Sequence, residues 1–341
     1  MFNSKYDPSG MLKKIKGFPE QILEYWKKGQ SIQTDGFSKP SQLVITGMGG
    51  SAISGDLLKD LLFSDLDIPI IVNRGYNLPR FVNEKSLLFI SSYSGNTEET
   101  INALKEGLRK KAMIVVFTSN GEIGKIAEEK GLPVIKFPKG YPPRSALGFS
   151  FFSMLGFVKN HINIPIEERD INNLSQKLSG LRDKLIKPPN EITGLSESLI
   201  NKMPFIYISR RLKSVALRWQ TQINENSKTF VHINVIPELN HNEIVGLEFP
   251  HNLIKQVYLI LLRCERYENE QIKKRFKVTE TLLKEVVGNI QTIRAEGENN
   301  IEDIFSLLYK GDFLSYYLAL QQKVDPTPVK RIDILKRRLR E

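Results

Sequence analysis

The stretch VITGMGGSAISGDLL, residues 44–58, joins a short apolar run to a glycine-rich loop and then to a segment with helical spacing. Such a loop between a strand and a helix lets backbone N–H groups approach an anionic ligand closely, because glycine carries no side chain. The stretch therefore predicts an α/β fold with an anion site after its first strand. Its glycines alone leave three ligand classes open: a dinucleotide pyrophosphate, a nucleoside triphosphate and a sugar phosphate.

Short, continuously apolar segments recur along the chain, separated by segments with helical spacing. Strands of this kind are typical of a parallel sheet that helices cover on both faces. We predict strands at 43–46, 68–72, 86–91, 112–118 and 132–137, and a second series at 204–210, 229–236, 256–262 and 288–294. The sequence therefore predicts two tandem, doubly wound α/β domains with mainly parallel sheets, a plan that favours an internal duplication.

The predicted domains follow from where this alternation begins, breaks and resumes. In the lead-in, Pro19 marks the start of a helix and Gly29 its end. The apolar stretch at 147–158 reads as a buried helix. We predict a helical lead-in at 1–40, a first domain at 41–165, a helical linker at 166–202 and a second domain at 203–341.

The chain carries 49 basic and 38 acidic residues, for a net charge of +11. The basic residues are spread along the sequence and match no nucleic-acid-binding motif, so small anionic substrates account for the charge better than nucleic acid does. One dense basic cluster lies at 330–340. Its apolar residues Ile332, Leu335 and Leu339 recur at three and four positions, which predicts an amphipathic helix that docks on protein.

Two features of the sequence predict a cytoplasmic protein with no membrane association. The single cysteine, Cys264, excludes an internal disulfide, as is typical of a reducing compartment. The N-terminus lacks the apolar core of a signal peptide, and the 12-residue stretch at 147–158 is shorter than the roughly 20 residues that span a bilayer.

Two of the three ligand classes fit the glycine loop poorly. Gly47, Gly49 and Ala52 match a dinucleotide fingerprint, which also requires an acidic residue about 20 positions later. Asn73 and Arg74 occupy that place, and Arg74 would suit only the phosphorylated dinucleotide NADP. A nucleoside triphosphate loop would end in a Gly-Lys-Ser/Thr sequence, which is missing here.

A second hydroxyl-rich loop follows the predicted strand of SLLFISSYSGNTEET, residues 86–100. In a parallel sheet, ligands bind beyond the carboxyl ends of the strands, where two such loops converge. Loops of this composition also serve as ordinary turns and caps, but two in one sheet favour a terminal phosphate. We predict that the phosphate is bound by Ser51, Ser92, Ser94 and Thr97, together with the backbone at Gly49 and Gly50.

Five motifs, in this order along the chain, resemble those of the bifunctional phosphoglucose/phosphomannose isomerases: GMGGSAISGD, SYSGNTEET, GYPPRSALG, NENSK and PELNHNEIVG. The resemblance covers nearly the whole chain from residue 44 onward. It implies two sugar isomerase (SIS) domains in each chain, a homodimer, and no metal or cofactor. It also implies interconversion of glucose 6-phosphate or mannose 6-phosphate with fructose 6-phosphate.

The same resemblance implies a role for individual residues. It maps the family's phosphate site onto the four hydroxyl residues named above. It maps the arginine that steadies the enediolate onto Arg144, the base onto Glu225 and the ring-opening histidine, which comes from the other subunit, onto His241. A C-terminal lysine matches best at Lys336. The remaining histidines lie in segments without other polar groups and are interpreted as structural or surface residues: His161, His232 and His251.

The residues themselves fit this chemistry, since moving a proton between C1 and C2 requires a carboxylate, a cation and a ring-opening acid or base. Glu225 follows the apolar helical stretch at 212–223, where a solvated acid is the alternative. His241 is predicted in the first turn of a helix, because Asn240 and Glu243 have capping-box spacing. Two prolines stiffen the loop of Arg144, whose alternative is a surface arginine.

Besides an NADP-dependent oxidoreductase, two alternatives to this function remain open at the level of sequence. A non-catalytic sensor of SIS type would bind a sugar phosphate without converting it, and would have no use for the proton-transfer residues. An isomerase of another phosphosugar would need the same phosphate site and the same carboxylate. The sensor would convert no substrate, and the second alternative would convert a different phosphosugar.

Overall fold

The computed structural model describes residues 4–34 and 36–339. The described residues divide into two compact units. The N-terminal unit comprises Gly17–Lys177, and the C-terminal unit comprises the described parts of Leu178–Glu341 and of Met1–Lys16.

The N-terminal unit is built on a five-stranded parallel sheet of order β2-β1-β3-β4-β5. Its strands are β1 (Gln42–Thr46), β2 (Ile70–Asn73), β3 (Ser86–Ser92), β4 (Met113–Thr118) and β5 (Val134–Lys136). Its helices are α2 (Phe18–Gln30), α3 (Gly50–Leu61), α4 (Glu98–Arg109), α5 (Gly121–Glu129), α6 (Leu147–His161) and the first part of α7 (Glu168–Leu185). Strand β3 is buried at every position, as expected for a central strand covered on both faces.

The C-terminal unit contains a four-stranded parallel sheet of order β7-β6-β8-β9. Its strands are β6 (Met203–Ser209), β7 (His232–Ile236), β8 (Val257–Arg263) and β9 (Asn289–Arg294). Its helices are α1 (Met11–Lys16), α8 (Glu191–Ser198), α9 (Lys213–Gln222), α10 (Glu243–Gly246), α11 (His251–Ile254), α12 (Glu270–Leu283), α13 (Asn300–Gln321) and α14 (Lys330–Arg338).

The predicted α/β class with two parallel sheets is confirmed, and each predicted strand is present. Most strand bounds differ from the prediction by one or two residues. Strand β7 differs more, since it begins at His232 and not at residue 229. Apolar periodicity identifies a strand more securely than it identifies the first residue of that strand.

Helix α13 is the central helix of the C-terminal unit. Every residue from Ile301 to Leu320 is buried, including several that carry a charge. The Lys310 ammonium, for example, lies 2.7 Å from a carboxylate oxygen of Glu296. Buried charges of this kind require a partner, because an isolated ion would lose its hydration without compensation.

Helix α6 confirms the prediction of a buried helix at 147–158, since each of those residues is buried. Its Phe157 ring packs against Phe89 of β3 with the ring centres 5.3 Å apart, so the helix covers one face of the sheet. In the described part of the chain, none of the helices combines the length and apolar character that crossing a bilayer requires.

Gly29 does not end its helix, contrary to the prediction, because α2 continues through Gln30. A Cβ atom at Gly29 would lie 2.1 Å from the carbonyl oxygen of Ser153 on α6. A Cβ atom at Gly156 of α6 would likewise lie 2.2 Å from the Trp26 carbonyl oxygen. Gly29 is therefore required by the close contact of two helices, a tertiary cause that local spacing does not reveal.

Replacing Gly29 with alanine is expected to lower the free energy of unfolding by about 1–3 kcal/mol, because the added methyl group must displace backbone atoms of α6. Gly180, inside α7, is the matched control: apart from its own helical turn, no described residue comes within 4 Å of a Cβ atom there. Gly180→Ala should leave stability unchanged or raise it by about 0.5–1 kcal/mol. Urea unfolding of both variants measures the difference, and equal stabilities would contradict this explanation of Gly29.

The basic C-terminal segment forms α14, as predicted, but it does not dock within the described chain. Ile332, Leu335 and Leu339 on its apolar side are 40%, 58% and 73% exposed, respectively. The prediction of an amphipathic helix is therefore confirmed, and the prediction that this helix docks on protein stays a prediction. Spacing reveals an apolar face but does not identify what covers it.

Candidate active site

The strand order of the N-terminal sheet places a topological switch point between β1 and β3, the place where parallel α/β sheets bind ligands. The chain passes from β1 outward to β2 on one side and returns to β3 on the other, which makes the β1–β3 boundary the switch point of the sheet. The glycine loop (residues 47–51) follows β1, and the serine loop (residues 92–97) follows β3. Both loops therefore lie at the same edge of the sheet.

Hydrogen bonds join the two loops. The Ser51 hydroxyl accepts a hydrogen bond from the Tyr93 backbone N–H at 3.2 Å. The hydroxyl oxygens of Ser92 and Thr97 lie 2.9 Å apart. Ser94 is exposed, and its hydroxyl accepts a 3.3 Å hydrogen bond from the Asn96 N–H. The structure thus brings Ser51, Ser92 and Thr97 together and leaves Ser94 at the rim.

The helices that follow these loops begin without a side-chain cap. Gly49 precedes α3 with φ of +49°, a backbone conformation that residues other than glycine rarely adopt. Thr97 precedes α4. Gly49 has no side chain to cap α3, and within the described residues the Thr97 side chain does not cap α4. Uncapped N–H groups and the positive end of the helix dipole together attract an anion.

The arginine loop (residues 140–146) packs against the start of α3. A Cβ atom at Gly50 would lie 2.9 Å from the Pro143 carbonyl oxygen and 3.1 Å from the Arg144 nitrogen, so this approach needs glycine. Arg144 lies in a single helical turn, Pro143–Ser145, and only 3% of its surface is exposed. The alternative of a surface arginine is therefore wrong.

Tyr93 connects the arginine loop to the serine loop. Its hydroxyl donates to the Pro138 carbonyl at 2.6 Å and accepts from the Tyr141 N–H at 2.9 Å. Burial raises the pKa of Tyr93, so the phenol stays protonated and keeps its donor. Backbone hydrogen bonds to one rigid side chain hold the loop of the candidate cation beside the two hydroxyl loops.

Arg74, the residue that would suit NADP, is engaged elsewhere. Its Nη1 lies 3.2 Å from a carboxylate oxygen of Asp56 on α3, and its Nη2 also contacts that carboxylate. An arginine neutralised by a carboxylate attracts a second anion less strongly. This geometry favours a small phosphate at the switch point over a phosphorylated dinucleotide.

Glu225 lies in the C-terminal unit, just after α9. The helix ends at Gln222, and Ile223–Ser227 form one π-helical turn that ends at Lys228, whose φ is +59°. Glu225 is half-buried, between exposed Asn224 and buried Asn226. The sequence pattern predicts only the helix and not this wider turn. Turns of this kind occur often at functional sites.

His241 does not occupy the predicted position in a capped helix. It is the last residue of a 3₁₀ turn, Glu238–His241, and its side chain is exposed. Asn242, not Asn240, caps α10, with its side-chain oxygen 2.5 Å from the Glu243 nitrogen. The capping-box prediction was wrong because the Asn240 side-chain oxygen instead accepts from Arg275 on α12, at 3.4 Å, while its amide nitrogen donates to Thr279, at 2.8 Å.

The interpretation of His232 as a histidine without polar neighbours is also wrong. Its Nε2 lies 2.8 Å from Oε2 of Glu243, and the Asn234 amide donates to the same oxygen. The Tyr207 hydroxyl donates to Oε1 of Glu243 at 2.5 Å. His232 and Asn234 lie two residues apart and therefore on the same face of β7. Tyr207 of β6 is the register partner of Asn234. The i, i+2 spacing of two polar residues in a strand is the signal that would have revealed this cluster.

The cluster keeps Glu243 ionised. Burial opposes the charge, but the hydrogen bonds from His232, Tyr207 and Asn234 outweigh it and lower the pKa of the Glu243 carboxyl. Burial and the neighbouring carboxylate raise the pKa of Tyr207, which therefore acts as a donor. Glu243 thus ties the segment just after His241 to strands β6 and β7.

Lys336 lies on α14, where every described residue is exposed. Its ammonium is therefore presented to solvent in the described chain. The candidate residues fall into two groups by unit: the hydroxyl residues and Arg144 in the N-terminal unit, and Glu225, His241 and Lys336 in the C-terminal unit.

Comparison with known proteins shows where such a chain belongs. Residues 189–339 match the family model described as bacterial phospho-glucose isomerase C-terminal SIS domain. The chain is 40% identical, over 97% of its length and 99% of the relative's, to a bifunctional phosphoglucose/phosphomannose isomerase of Caldicellulosiruptor bescii. It is 33% identical to one of Aquifex aeolicus, over 88% and 90% of the two chains.

A solved structure of a hypothetical protein from Thermus thermophilus has the same fold. It superposes with a TM-score of 0.75 at 15% identity, covering 98% of this chain and 91% of that one. The fold, the SIS model and the identity over nearly the full length agree. The chain belongs to the bifunctional phosphoglucose/phosphomannose isomerase family.

Proposed function

We propose that this protein interconverts glucose 6-phosphate and mannose 6-phosphate with fructose 6-phosphate. The observation that carries the proposal is the pair of hydroxyl loops at the switch point, joined by the Ser51–Tyr93 and Ser92–Thr97 contacts. Hydroxyl and amide donors suit a terminal phosphate monoester that must bind and leave in each turnover. Membership of the isomerase family supports the same substrate class.

The phosphate would be held by Ser51, Ser92, Ser94 and Thr97, with the N–H groups at the starts of α3 and α4. This arrangement anchors the substrate by its non-reacting end, which orients C1 and C2 without a metal ion or cofactor. Arg144 is buried, and its backbone nitrogen lies against Gly50 of the glycine loop. Its guanidinium would then stabilise negative charge on the enediolate oxygen.

Glu225 is proposed as the base. Its carboxylate takes the proton from C2 of the open-chain aldose, and the electron pair of that C–H bond forms the C1=C2 bond of the enediolate. The protonated Glu225 returns the proton to C1 while the O2 proton moves to O1, which gives the ketose. Reprotonation of C2 on the opposite face of the enediolate would connect the glucose and mannose series.

Ring opening is proposed for His241, contributed by a second copy of the chain in a homodimer. An exposed imidazole can accept a proton from O1 and donate one to the ring oxygen. The segment after His241 also presents apolar side chains to solvent: Val245 is 66% exposed and Phe249 is 69% exposed. Apolar surface beside a functional residue fits a protein–protein contact.

Lys336, on the C-terminal helix α14, is proposed to assist catalysis.

We also propose a cytoplasmic location. The single cysteine, Cys264, is buried, and burial raises the pKa of its thiol, which keeps it in the less reactive neutral form. The substrates proposed above are phosphorylated sugars of the cell interior.

A coupled assay with glucose 6-phosphate and mannose 6-phosphate side by side tests this function. We expect fructose 6-phosphate from both, and none from unphosphorylated glucose, because the phosphate provides the anchor. Binding of both sugars without turnover would favour the sensor. Turnover restricted to an amino-sugar or pentose phosphate would favour an isomerase of another substrate. A change in NADPH fluorescence on titration would support the dinucleotide alternative.

A further inference from the structure

One face of α9 and the following π-helical turn is polar although it is buried. Arg218, Gln222 and Asn226 recur at intervals of four residues, and each is at most 2% exposed. Their spacing places them on a single face, which packs against α13. A row of three buried polar side chains requires partners on the facing helix.

Helix α13 provides these partners from two positions. The Asp312 carboxylate accepts from Arg218 Nε at 3.1 Å and Nη2 at 3.0 Å, and from Gln222 Nε2 at 2.7 Å. The Asn226 amide donates to the Ser315 hydroxyl at 2.9 Å, and that hydroxyl donates to the Asp312 carbonyl at 2.8 Å. We call these five residues the polar seam.

The polar seam adds little free energy to the packing of the two helices. Desolvation of a buried ion pair offsets much of its attraction, and well-packed apolar replacements are often neutral or stabilising. What such a seam does provide is register, because only one alignment lets Asp312 meet both Arg218 and Gln222 while Ser315 meets Asn226. It therefore fixes where the π-helical turn lies along α13.

That register determines where Glu225 points. Glu225 directly precedes Asn226 in the turn. Because Glu225 lies inside the turn, return of the turn to regular α-helix would change the direction of its side chain. The residues after the turn would rotate by about 100°, the angle that one residue spans in an α-helix. Pinning Asn226 to Ser315 thus pins the direction of the carboxylate one residue earlier. Lys228 adds to this, since its ammonium donates to the Glu225 carbonyl at 2.6 Å.

We propose that Asp312, Arg218, Gln222, Asn226 and Ser315 are positioning residues for Glu225, an inference that rests on the proposed role of Glu225 as the base. They do not touch substrate. They hold the π-helical turn in the one register that aims the Glu225 carboxylate. A displacement of about 1 Å at a reacting group can cost about 100-fold in rate, so this register matters for kcat.

The test replaces the ionic part of the seam with apolar residues in the triple variant Arg218→Met/Gln222→Leu/Asp312→Leu. We expect a folded protein, because partners removed together leave few unsatisfied groups. Its kcat should fall by about 10–100-fold, with KM within about twofold of wild type because the phosphate anchor is intact. With substrate deuterated at C2, the isotope effect on kcat should rise, since misaligned proton transfer limits the rate.

Lys310→Met is the matched control. Lys310 is a buried charge on the same helix, but it binds Glu191, at 3.1 Å, and Glu296. It should lose stability and retain kcat. A triple variant with kcat within twofold of wild type would overturn the proposal, as would an equal loss of kcat in Lys310→Met. If the triple variant does not fold, Ser315→Ala decides by the same kinetic criteria, since it removes the hydroxyl that accepts from Asn226 and leaves the bonds of Asp312 to Arg218 and Gln222 in place.

The kcat of Glu225→Gln, measured beside that of the triple variant, distinguishes failure of the positioning role from failure of the proposed base. An inactive Glu225→Gln beside a fully active triple variant overturns the positioning role alone. A fully active Glu225→Gln overturns the assignment of the base and this inference with it.

Discussion

Glu225→Gln is expected to lower kcat by about 10²–10⁴-fold for both aldose phosphates, the range that general base catalysis contributes. Glutamine has the shape of glutamate but accepts no proton, so the loss reports on proton transfer and not on packing. The KM should stay near that of wild type, because the phosphate loops are unchanged. A coupled assay gives both constants.

The matched control for this variant is Glu280→Gln, an exposed acid on α12 of the same unit. It should retain full activity. If wild type and Glu225→Gln both fail to turn over substrate, the non-catalytic sensor is favoured. If Glu225→Gln stays within twofold of wild type, another residue is the base.

Replacing Arg144 with methionine is expected to lower kcat by about 10²–10³-fold, the usual effect of removing one group that stabilises a developing oxyanion. Methionine fills a similar volume without the charge. Because only 3% of Arg144 is exposed, its loss also affects folding, so thermal unfolding and phosphate-ester binding are measured on the same sample. Arg144→Lys keeps a cation and should recover part of the rate.

Arg109→Met controls for loss of a positive charge from the N-terminal unit, since Arg109 is exposed at the end of α4. Its kcat should equal that of wild type. A folded Arg144→Met protein with wild-type kcat would show that the enediolate is stabilised by another group.

The sequence predicted the features that depend on local pattern. Continuous apolar runs marked the strands of both sheets, and the hydroxyl residues after β1 and β3 lie at one edge of the sheet. The strands could be predicted because a parallel strand buried on both faces must be apolar throughout. That the hydroxyl residues bind phosphate stays a prediction. Each signal lies within about ten residues of the feature it predicts.

The features that sequence reasoning missed depend on distant parts of the chain. Gly29 is needed because Ser153 of α6 approaches it, and the π-helical turn at Glu225 faces Ser315 of α13 through Asn226. The side chain of Asn240 binds Arg275 and Thr279 of α12 and does not form its predicted cap. Local spacing encodes none of these contacts, since each joins residues far apart in the chain.

A crystal structure of Glu225→Gln with fructose 6-phosphate tests the central claim most directly, because the inactive variant holds unreacted substrate. We predict the phosphate within hydrogen-bond distance of Ser51, Ser92 and Thr97, with the side chain of residue 225 about 3–3.5 Å from C1 or C2 of the same sugar. A phosphate bound away from these loops, or a residue 225 remote from the sugar carbons in every protomer, would contradict the account.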